Sequence, residues 1–360
     1  MGEKMRKIIL TGGGTSGHVI PNLALLPSLK AAGFEVHYIG SHDGMERGLV
    51  EAAGLPFYGI SSGKLRRYFD IKNVTDIFRI AKGIGDSMKI IRKIKPDVVF
   101  SKGGFVVVPV IAAARLRRVK TVIHESDITP GLANRIVMPF AAKVCVSFPE
   151  TLAHVSGKKA VLTGTPIRPN LINGDRLSGF RHAGFIPGGK PVLLVTGGSQ
   201  GASAINACVR ESLPELLANF RIVHLCGKGN LSGIQQPDYV EFEYLSDEMP
   251  DVLAMADIVI SRAGANTLFE LLALKKPHLL IPLPLGKSRG DQIQNAASFS
   301  NQGFSKVLNE EDMTPVRLLA DVKALYGSKD TFKATMSAHR MADGVQGIME
   351  VLEKAAPLTP

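Results

Sequence analysis

What the chain lacks narrows it first. It has three cysteines, Cys145, Cys208 and Cys226, which lie in or beside apolar segments and far apart. That is neither a disulfide framework nor a metal-ligating spacing. No apolar run reaches the ~18–20 residues that a transmembrane helix needs. Met1 to Lys7 lead straight into an apolar run, with no signal-peptide cleavage pattern and no myristoylation motif. A Walker-type loop ending in Gly-Lys-Ser/Thr, a His-Glu-x-x-His pair and a Gly-x-Ser-x-Gly nucleophile elbow are all missing. No nucleic-acid-binding module is recognisable. The expectation is a soluble protein of a reducing, cytoplasmic setting.

What is present is ample core and an uneven charge. With 360 residues and 45% hydrophobic content, the chain can build two domains of ordinary size. The formal charge is +11, which suits nucleic acid, an anionic membrane or phosphorylated substrates. Much of the excess is local. Residues 64–95 hold ten Lys/Arg (Lys64, Arg66, Arg67, Lys72, Arg79, Lys82, Lys89, Arg92, Lys93 and Lys95) against Asp70, Asp76 and Asp86, a net +7.

The stretch that organises the first half is Thr11-Gly12-Gly13-Gly14-Thr15-Ser16-Gly17-His18, after the apolar Ile8-Ile9-Leu10. Glycines let backbone approach a ligand closely, and the exposed N–H groups of such a turn favour an anion. The second half repeats the device: Leu193-Leu194-Val195 is followed by Thr196-Gly197-Gly198-Ser199-Gln200-Gly201-Ala202. Two strand–glycine turn–helix openings, one per half, imply two similar α/β domains facing one cleft. A dinucleotide fingerprint is not met, because Ile39-Gly40-Ser41-His42-Asp43 gives no convincing acid at the second strand's end.

Strands are expected at Lys7–Leu10, Glu35–Ile39, Phe57–Ile60, Asp97–Phe100, Thr121–His124 and Lys143–Ser147, alternating with helices at Asn22–Ala32, Met45–Ala53, Val74–Ile94, Val107–Arg115 and Gly131–Phe140. Such alternation argues a parallel sheet covered by helices. In the long helix Ile77, Ala81, Ile84, Met88 and Ile91 fall at helical spacing, while Gly83 and Gly85 weaken it in isolation. Gly164 to Asn170 reads as a linker, and Asn173–Lys190 as a polar surface connection. Strands then follow at Val192–Val195, Arg221–Leu225, Val240–Tyr244, Ile258–Ser261 and His278–Ile281. Helices are expected at Ala202–Leu217, Asp251–Met255, Thr267–Leu274, Asp291–Gln302 and Pro315–Leu325, with a last helical stretch at roughly Thr331–Lys354.

Several residues can carry chemistry, each beside a plainer reading. His18 suits a general base, or a histidine bracing a glycine turn. Glu125, after His124, suits a sugar hydroxyl, or a carboxylate accepting N–H bonds in its own turn. Ser101-Lys102-Gly103-Gly104-Phe105 is a second anion cradle or a tight turn. Ser261 to Glu270 again follows a strand: its small residues admit a phosphate at a helix N-terminus. Glu270 suits a ribose diol, or complements the helix dipole. Arg168 suits phosphates by its forked guanidinium, or is a solvated linker charge. Asp291, Gln292 and Asn295 suit sugar hydroxyls, and Asp291 equally a helix cap.

Taken together, these stretches resemble the MurG-type N-acetylglucosaminyltransferases of peptidoglycan synthesis, nearly end to end. The resemblance is carried by Gly13 to His18, Gly103-Gly104-Phe105, His124-Glu125, Pro130-Gly131 through Asn134, Gly164 to Arg168, Gly197 to Ala202, Arg262-Ala263-Gly264 through Glu270, and Gln292 with Asn295. It implies an α/β GT-B fold of two Rossmann-like domains with parallel sheets facing a central cleft. Residues 1–165 would form the acceptor and membrane-associated domain, with a C-terminal helix at about 342–356 packing back on it; residues 166–341 would bind UDP-GlcNAc. The implied activity is inverting, metal-independent transfer of GlcNAc from UDP-GlcNAc to lipid I, giving lipid II, with no cofactor and no nucleic acid.

The resemblance also implies roles. His18 matches the proposed base. Thr15, Ser16 and Gly17 match the loop near the donor sugar and acceptor pyrophosphate, and Glu125, Asp127 and Asn134 the region near the sugar. Arg168 and Ser199 match phosphate contacts, and Ser246 a backbone contact to uracil. Ala265, Asn266, Thr267, Leu268, Phe269 and Glu270 match the diphosphate–ribose segment, with Glu270 on the ribose; Gln292 and Asn295 match the GlcNAc side. Three positions depart from the family: Ser16-Gly17 where it has Gly-Gly, Ser126-Asp127 where it has Gln-Asn, and Asp291-Gln292 where it often has paired glutamines. The lipid-linked acceptor implies a peripheral protein at the cytoplasmic face of the membrane, docked to an anionic surface through Lys64, Arg66, Arg67, Lys72 and Arg79. The rival readings are a GT-B transferase acting on another lipid or sugar, a UDP-GlcNAc epimerase, and a nucleotide-dependent binding or regulatory protein.

Overall fold

The computed structural model describes residues 5–63, 72–198 and 200–357; for residues 72–75 only the backbone is described. It divides into two compact units, Met1–Arg168 with Ala342–Pro360, and Pro169–Met341.

Unit 1 begins β1 (Arg6–Thr11), α1 (Ser16–Ala24), α2 (Leu26–Ala31), β2 (Phe34–Ser41), α3 (Glu46–Ala52), β3 (Phe57–Ile60) and α4 (Lys72–Ile94). It continues β4 (Val98–Ser101), α5 (Val107–Leu116), β5 (Lys120–Glu125), α6 (Leu132–Val137), β6 (Lys143–Val146) and β7 (Ala160–Leu162). The sheet is parallel with order β3-β2-β1-β4-β5-β6-β7. Alternate residues serve opposite faces, as a strand's period of two requires. Ile9, Ile39, Val99 and Ile123 pack in one cluster with residues of α4 and α5, while Ile8, Leu10, Val98 and Val122 pack in the other. A sheet buried on both faces reads as continuous apolar runs, which is why its strands are visible in the sequence.

Unit 2 holds α7 (Arg176–Ala183), β8 (Val192–Thr196), α8 (Ser203–Glu211), α9 (Leu213–Leu217), β9 (Arg221–Leu225), β10 (Tyr239–Phe242) and α10 (Met249–Met255). Then come β11 (Ile258–Ser261), α11 (Ala265–Ala273), β12 (His278–Leu280), α12 (Asp291–Asn301), β13 (Ser305–Val307), α13 (Pro315–Gly327) and α14 (Lys329–Ala338). Its sheet is also parallel, in the order β10-β9-β8-β11-β12-β13. The chain then returns to unit 1 as α15 (Gly344–Ala355), whose Ile348, Val351 and Leu352 are buried with Val122 and Cys145.

Six expectations are corrected. The first helix starts at Ser16, not Asn22, so Ser16, Gly17 and His18 occupy its first turn and Pro21 lies inside it. The connection at 173–190 contains α7, capped by the Asp175 side chain on Ser178 N–H and closed by Gly184 in the left-handed conformation. The stretch 202–217 breaks at Ser212, where Pro214 opens a second helix. The stretch 331–354 is two helices belonging to different units, the second started by Asp343 accepting from Val345 and Gln346 N–H. The three-residue strands β7 and β13 are additional edge strands.

The sixth correction concerns α4. Its buried side includes Asp76, Gly83, Ser87, Ile91 and Ile94, whereas Ile77 and Met88 are exposed. Gly83 sets this rotation: a Cβ there would overlap the Ser61 carbonyl oxygen, so only glycine lets the helix sit against the segment after β3. The Ser87 hydroxyl satisfies itself on Gly83 O at 2.7 Å.

Candidate active site

In each sheet the strand order reverses direction beside the first strand, between β1 and β4 in unit 1 and between β8 and β11 in unit 2. Open parallel sheets bind ligands at this switch point, outside the carboxyl ends of the strands. Both glycine turns singled out in the sequence leave from there.

In unit 1 the turns after β1 and β4 are locked together. Gly13 N–H donates to Gly103 O at 3.3 Å, and Lys102 N–H to Thr11 O at 3.0 Å. Gly103 and Gly104 both have positive φ, and a Cβ on Gly104 would overlap the Gly13 carbonyl oxygen. Glu46, fully buried, pins the first turn from α3. Its carboxylate accepts from Ser41 N–H at 2.8 Å and Gly14 N–H at 3.3 Å. Asn22 Nδ2 donates to Thr11 O and to the Tyr38 hydroxyl, which donates to Gly12 O at 2.9 Å. Burial pushes the Tyr38 phenol well above its ordinary value, so it stays a neutral donor.

His18 projects from the first turn of α1. Its Nδ1 lies 2.9 Å from Gly13 O and 3.3 Å from the Thr15 hydroxyl. A carbonyl only accepts, so Nδ1 carries the proton and Nε2 the lone pair. The ring lies against Gly103: a Cβ built there would stand 3.3 Å from Nε2 and 3.6 Å from Asn134 Nδ2. Thr15, Ser16, Gly17, His18 and Asn134 are therefore gathered around one pair of glycine turns. Glu125 is buried. Its Oε1 accepts from Asp127 N–H at 3.1 Å, and its Oε2 from Gly131 N–H at 3.0 Å and Asn134 Nδ2 at 2.9 Å. Its bonds are those of a carboxylate bracing its own turn. Asn134 Oδ1 is buried with no hydrogen-bond partner, as are Thr11 Oγ1, Asn22 Oδ1 and Ser101 Oγ at or near the same strand ends. Leaving buried polar atoms unpaired is costly, and such atoms mark a place where a ligand or water completes the bonding.

Sequence reasoning missed Glu46, and it named Lys102 only as part of the Ser101–Phe105 turn, without its side-chain partners. Lys102 Nζ lies 2.6 Å from both His124 Nδ1 and the Ser126 hydroxyl. Burial draws its pKa down to about 7 against the opposing pull of Glu125 and Asp127. His124 donates from Nε2 to Gly164 O at 2.9 Å, and burial, with the Lys102 charge, holds it neutral. Arg168 is half-buried at the last position of this unit's first segment.

In unit 2 the turn after β8 repeats the glycine geometry, with Gly198 and Gly201 at positive φ and Gly201 packed on the Cys226 carbonyl oxygen. Ser199 lies outside the described residues. The turn after β11 delivers α11, nine residues long, with Gly264 extended before it. Ala265 to Glu270 form its first turns. Leu268 and Phe269 point into the core, so whatever they offer a ligand is backbone; Asn266, Thr267 and Glu270 are partly exposed. Arg262 ties the turn down through Ile281 O and Pro282 O and pairs with Glu310, which also accepts from Lys287. Asn295 is buried and donates to Ala263 O at 3.3 Å. Gln292 accepts from Leu283 N–H at 3.0 Å through Oε1, which leaves Nε2 as the donor on offer. Ser246 is exposed, and its N–H donates to Glu248 at 3.2 Å.

One cluster has the composition of a metal site. His224, Cys226 and Glu241 bring ligand atoms within 4.8 Å of one another. A guanidinium already fills it: Arg210 Nε donates to Glu241 Oε1 at 2.8 Å and an NH2 group lies 3.4 Å from Cys226 Sγ. Burial raises the Cys226 thiol to about 12.

The chain belongs to glycosyltransferase family 28. The family's N-terminal domain model matches residues 8–146 and its C-terminal domain model residues 192–352. The chain is 56% identical over 352 residues, 97% of its length and 99% of the relative's, to the UDP-N-acetylglucosamine--N-acetylmuramyl-(pentapeptide) pyrophosphoryl-undecaprenol N-acetylglucosamine transferase of Clostridium kluyveri. Among solved structures it is similar to Acinetobacter baumannii MurG (25% identity, TM-score 0.75, 97% of this chain and 99% of that one). It shares its fold with the glycotransferase of kitacinnamycin (17% identity, TM-score 0.76, 98% and 100%). The architecture is GT-B, two Rossmann-like units each with its own parallel sheet.

Proposed function

We propose that this chain transfers N-acetylglucosamine from UDP-GlcNAc to undecaprenyl-pyrophosphoryl-N-acetylmuramyl-pentapeptide, forming lipid II in peptidoglycan synthesis. What carries this reading is the 52–56% identity, over 97% of the chain, to relatives that bear this one activity in their names.

The site chemistry suits it. His18 Nε2, with its lone pair, takes the proton of the acceptor hydroxyl as it attacks the anomeric carbon from the face opposite UDP, so configuration inverts. Thr15, Ser16 and Gly17 offer donors to pyrophosphate at the start of α1, and Asn134 Oδ1 offers an acceptor to a sugar hydroxyl. In unit 2 the first N–H groups of α11 take the charge that develops on the UDP leaving group, without a metal, and the phosphate contacts that the family resemblance gives to Arg168 and Ser199 would add to it. Glu270 holds the ribose, Ser246 the uracil and Gln292 the GlcNAc, while Asn295, expected on the GlcNAc side, is fully buried and braces the turn before α11 through Ala263 O. On this reading residues 1–165 with 342–356 handle the acceptor and residues 166–341 the donor. Asp127, beside Ser126, stands where the family has an amide; ionised, it accepts hydrogen bonds but does not donate them.

The acceptor is a lipid, and among the described residues no helix is long and apolar enough to cross a membrane. We therefore assign docking at the cytoplasmic face to the basic segment at 64–95. Lys64, Arg66 and Arg67 lie outside the described residues, as does the side chain of Lys72. Arg79 is exposed, with a 3.7 Å contact to Asp76, and beside it Ile77 and Phe78 are 61% and 72% exposed.

The test is transfer of labelled GlcNAc from UDP-GlcNAc to a lipid I analogue, with a panel of other UDP-sugars alongside. Transfer confined to UDP-GlcNAc with acceptor is expected. Turnover of UDP-GlcNAc without acceptor would mark an epimerase instead, and preference for another UDP-sugar a different transferase.

A further inference from the structure

The C-terminal helix leaves a cleft against the edge of the sheet in unit 1. It has a volume of about 390 Å³ and lies between α15 and the strands β5, β6 and β7. Its helix wall is Gly347, Glu350, Val351, Lys354 and Ala355, which recur at intervals of three and four and so share one stripe of α15. Gly347 closes one end. A Cβ there would stand 3.2 Å from the Thr163 Cβ, so the helix touches the chain where β7 has just ended. Away from that contact the lining is apolar. Ala142, Val161 and Val351 contribute to it, with Leu162, 46% exposed on the edge strand.

The other end is basic. Lys120 opens β5, Lys143 opens β6, and Lys354 lies in the last turn of α15. By the strand period of two, Lys120 shares a face with Val122 and Lys143 with Cys145, the residues on which α15 packs. Lys143 spends one N–H on Lys158 O at 2.9 Å and keeps two. Among the described residues none of the three ammonium groups is ion-paired. Glu350 is the one acid in the lining, so three lysines against one glutamate leave a net +2. An apolar cleft with a few polar groups at one side is the composition of a small-molecule site, for which roughly 300–1,000 Å³ is usual. At the lower end of that range there is room for one hydrocarbon chain. A phosphate monoester carries about −1.5 to −2 at neutral pH, which matches the excess charge better than a carboxylate does. Lysine binds phosphate as a point charge.

We propose that this cleft binds a single-chain amphiphile headed by a phosphate monoester. Its hydrocarbon lies along Val161 and Val351 toward Gly347, and Lys120, Lys143 and Lys354 hold its phosphate. Every residue involved belongs to unit 1. The cleft is on the sheet face opposite α4, and its basic end is at the amino ends of the strands, away from the glycine turns. It is therefore distinct from both the docking surface and the site described above.

Calorimetric titration of the full chain with dodecyl phosphate, below its micelle-forming concentration, tests this. One molecule should bind per chain. Dodecanoate should bind at least about threefold more weakly, having less charge. Dodecanol and inorganic phosphate, each half of the ligand, should bind at least about tenfold more weakly. The Lys120→Gln/Lys143→Gln/Lys354→Gln variant should lose about tenfold in affinity for dodecyl phosphate and most of its salt dependence. Ala142→Trp, which fills the cleft from an exposed position, should lose as much. Thermal unfolding of each variant checks that it is folded, and the comparison of probes needs only the wild-type chain. Dodecyl phosphate affinity unchanged in both variants overturns the proposal. So does equal affinity for dodecanol or for dodecanoate, since the lysines would then not be reading a phosphate. Binding of none of the probes overturns it too, and is the result expected if a helix of another protein fills the cleft. Binding is read directly, so no outcome depends on the transferase reading.

Discussion

His18 Nδ1 stands 2.9 Å from the carbonyl oxygen of Gly13, and this one contact fixes which ring nitrogen can act as a base. The glycine turn does two things: it brings backbone close to the site, and it orients the imidazole. His18→Ala should lower turnover by about 10²–10⁴, the usual contribution of a positioned general base. UDP affinity, measured by calorimetry, should stay within a few-fold of wild type. Turnover within a few-fold of wild type would make His18 a brace for the turn and move the base elsewhere.

Glu270 lies one and a half turns into α11, partly exposed, while its neighbours Leu268 and Phe269 are buried. A carboxylate there is positioned for the ribose diol, and a charged hydrogen bond contributes roughly 1.5–3 kcal/mol. Glu270→Ala should weaken UDP binding by about ten- to hundredfold. Calorimetry on the folded variant checks this; unchanged affinity assigns Glu270 to the helix dipole alone.

Unit 2 carries a pH sensitivity of its own. His278 is buried, its Nδ1 2.6 Å from Lys276 O and its Nε2 2.5 Å from the Ser305 hydroxyl. Burial lowers its pKa from 6.5 to about 4. Between those values the unfolded chain binds a proton that the folded chain does not, so stability falls as pH falls through that window and is fully present above it. The shift corresponds to about 3 kcal/mol once pH is below the folded value. Thermal unfolding from pH 7 to 4.5 should show a steep decline in midpoint that His278→Gln makes shallower. His224, lowered to about 4 by burial in the same unit, contributes a parallel slope that remains in that variant.

Much of the fold was legible because both sheets are parallel and buried, so each long strand is an unbroken apolar run between glycine or polar turns. The parts that were not legible have physical reasons. Ser16-Gly17-His18 looks like loop, and only Thr15 taking an extended conformation ahead of it starts the helix there. The buried side of α4 is chosen by Gly83 meeting the Ser61 carbonyl, a contact between distant residues that no periodicity reveals. The end of α14 and the start of α15 had a readable signal in Asp343, which caps the second helix. At the site, motif residues such as His18, Asn134 and Glu270 could be named from the sequence. The role of Glu46 on the first glycine turn and that of the Lys102 side chain could not, because each depends on a partner 22–32 residues away, Gly14 for Glu46 and His124 for Lys102.

The last prediction concerns the membrane. With the apolar side of α4 rotated by Gly83, Ile77 and Phe78 face solvent beside Arg79, on a helix that also exposes Lys82, Lys89, Arg92 and Lys93. Basic charge near an anionic leaflet contributes about 1 kcal/mol per side chain and fades within a Debye length of roughly 8–10 Å. Exposed aromatic and aliphatic groups add an apolar component that salt does not screen. Two variants separate the components. Replacing Arg66, Arg67, Lys72 and Arg79 by glutamine should reduce co-sedimentation with anionic vesicles at low salt and flatten its salt dependence. Replacing Ile77 and Phe78 by serine should reduce the binding that survives at high salt. Both variants should keep activity on a short-chain, water-soluble acceptor, since that acceptor does not have to be reached at a membrane surface. Wild-type sedimentation by both variants would place the docking surface on another part of the molecule.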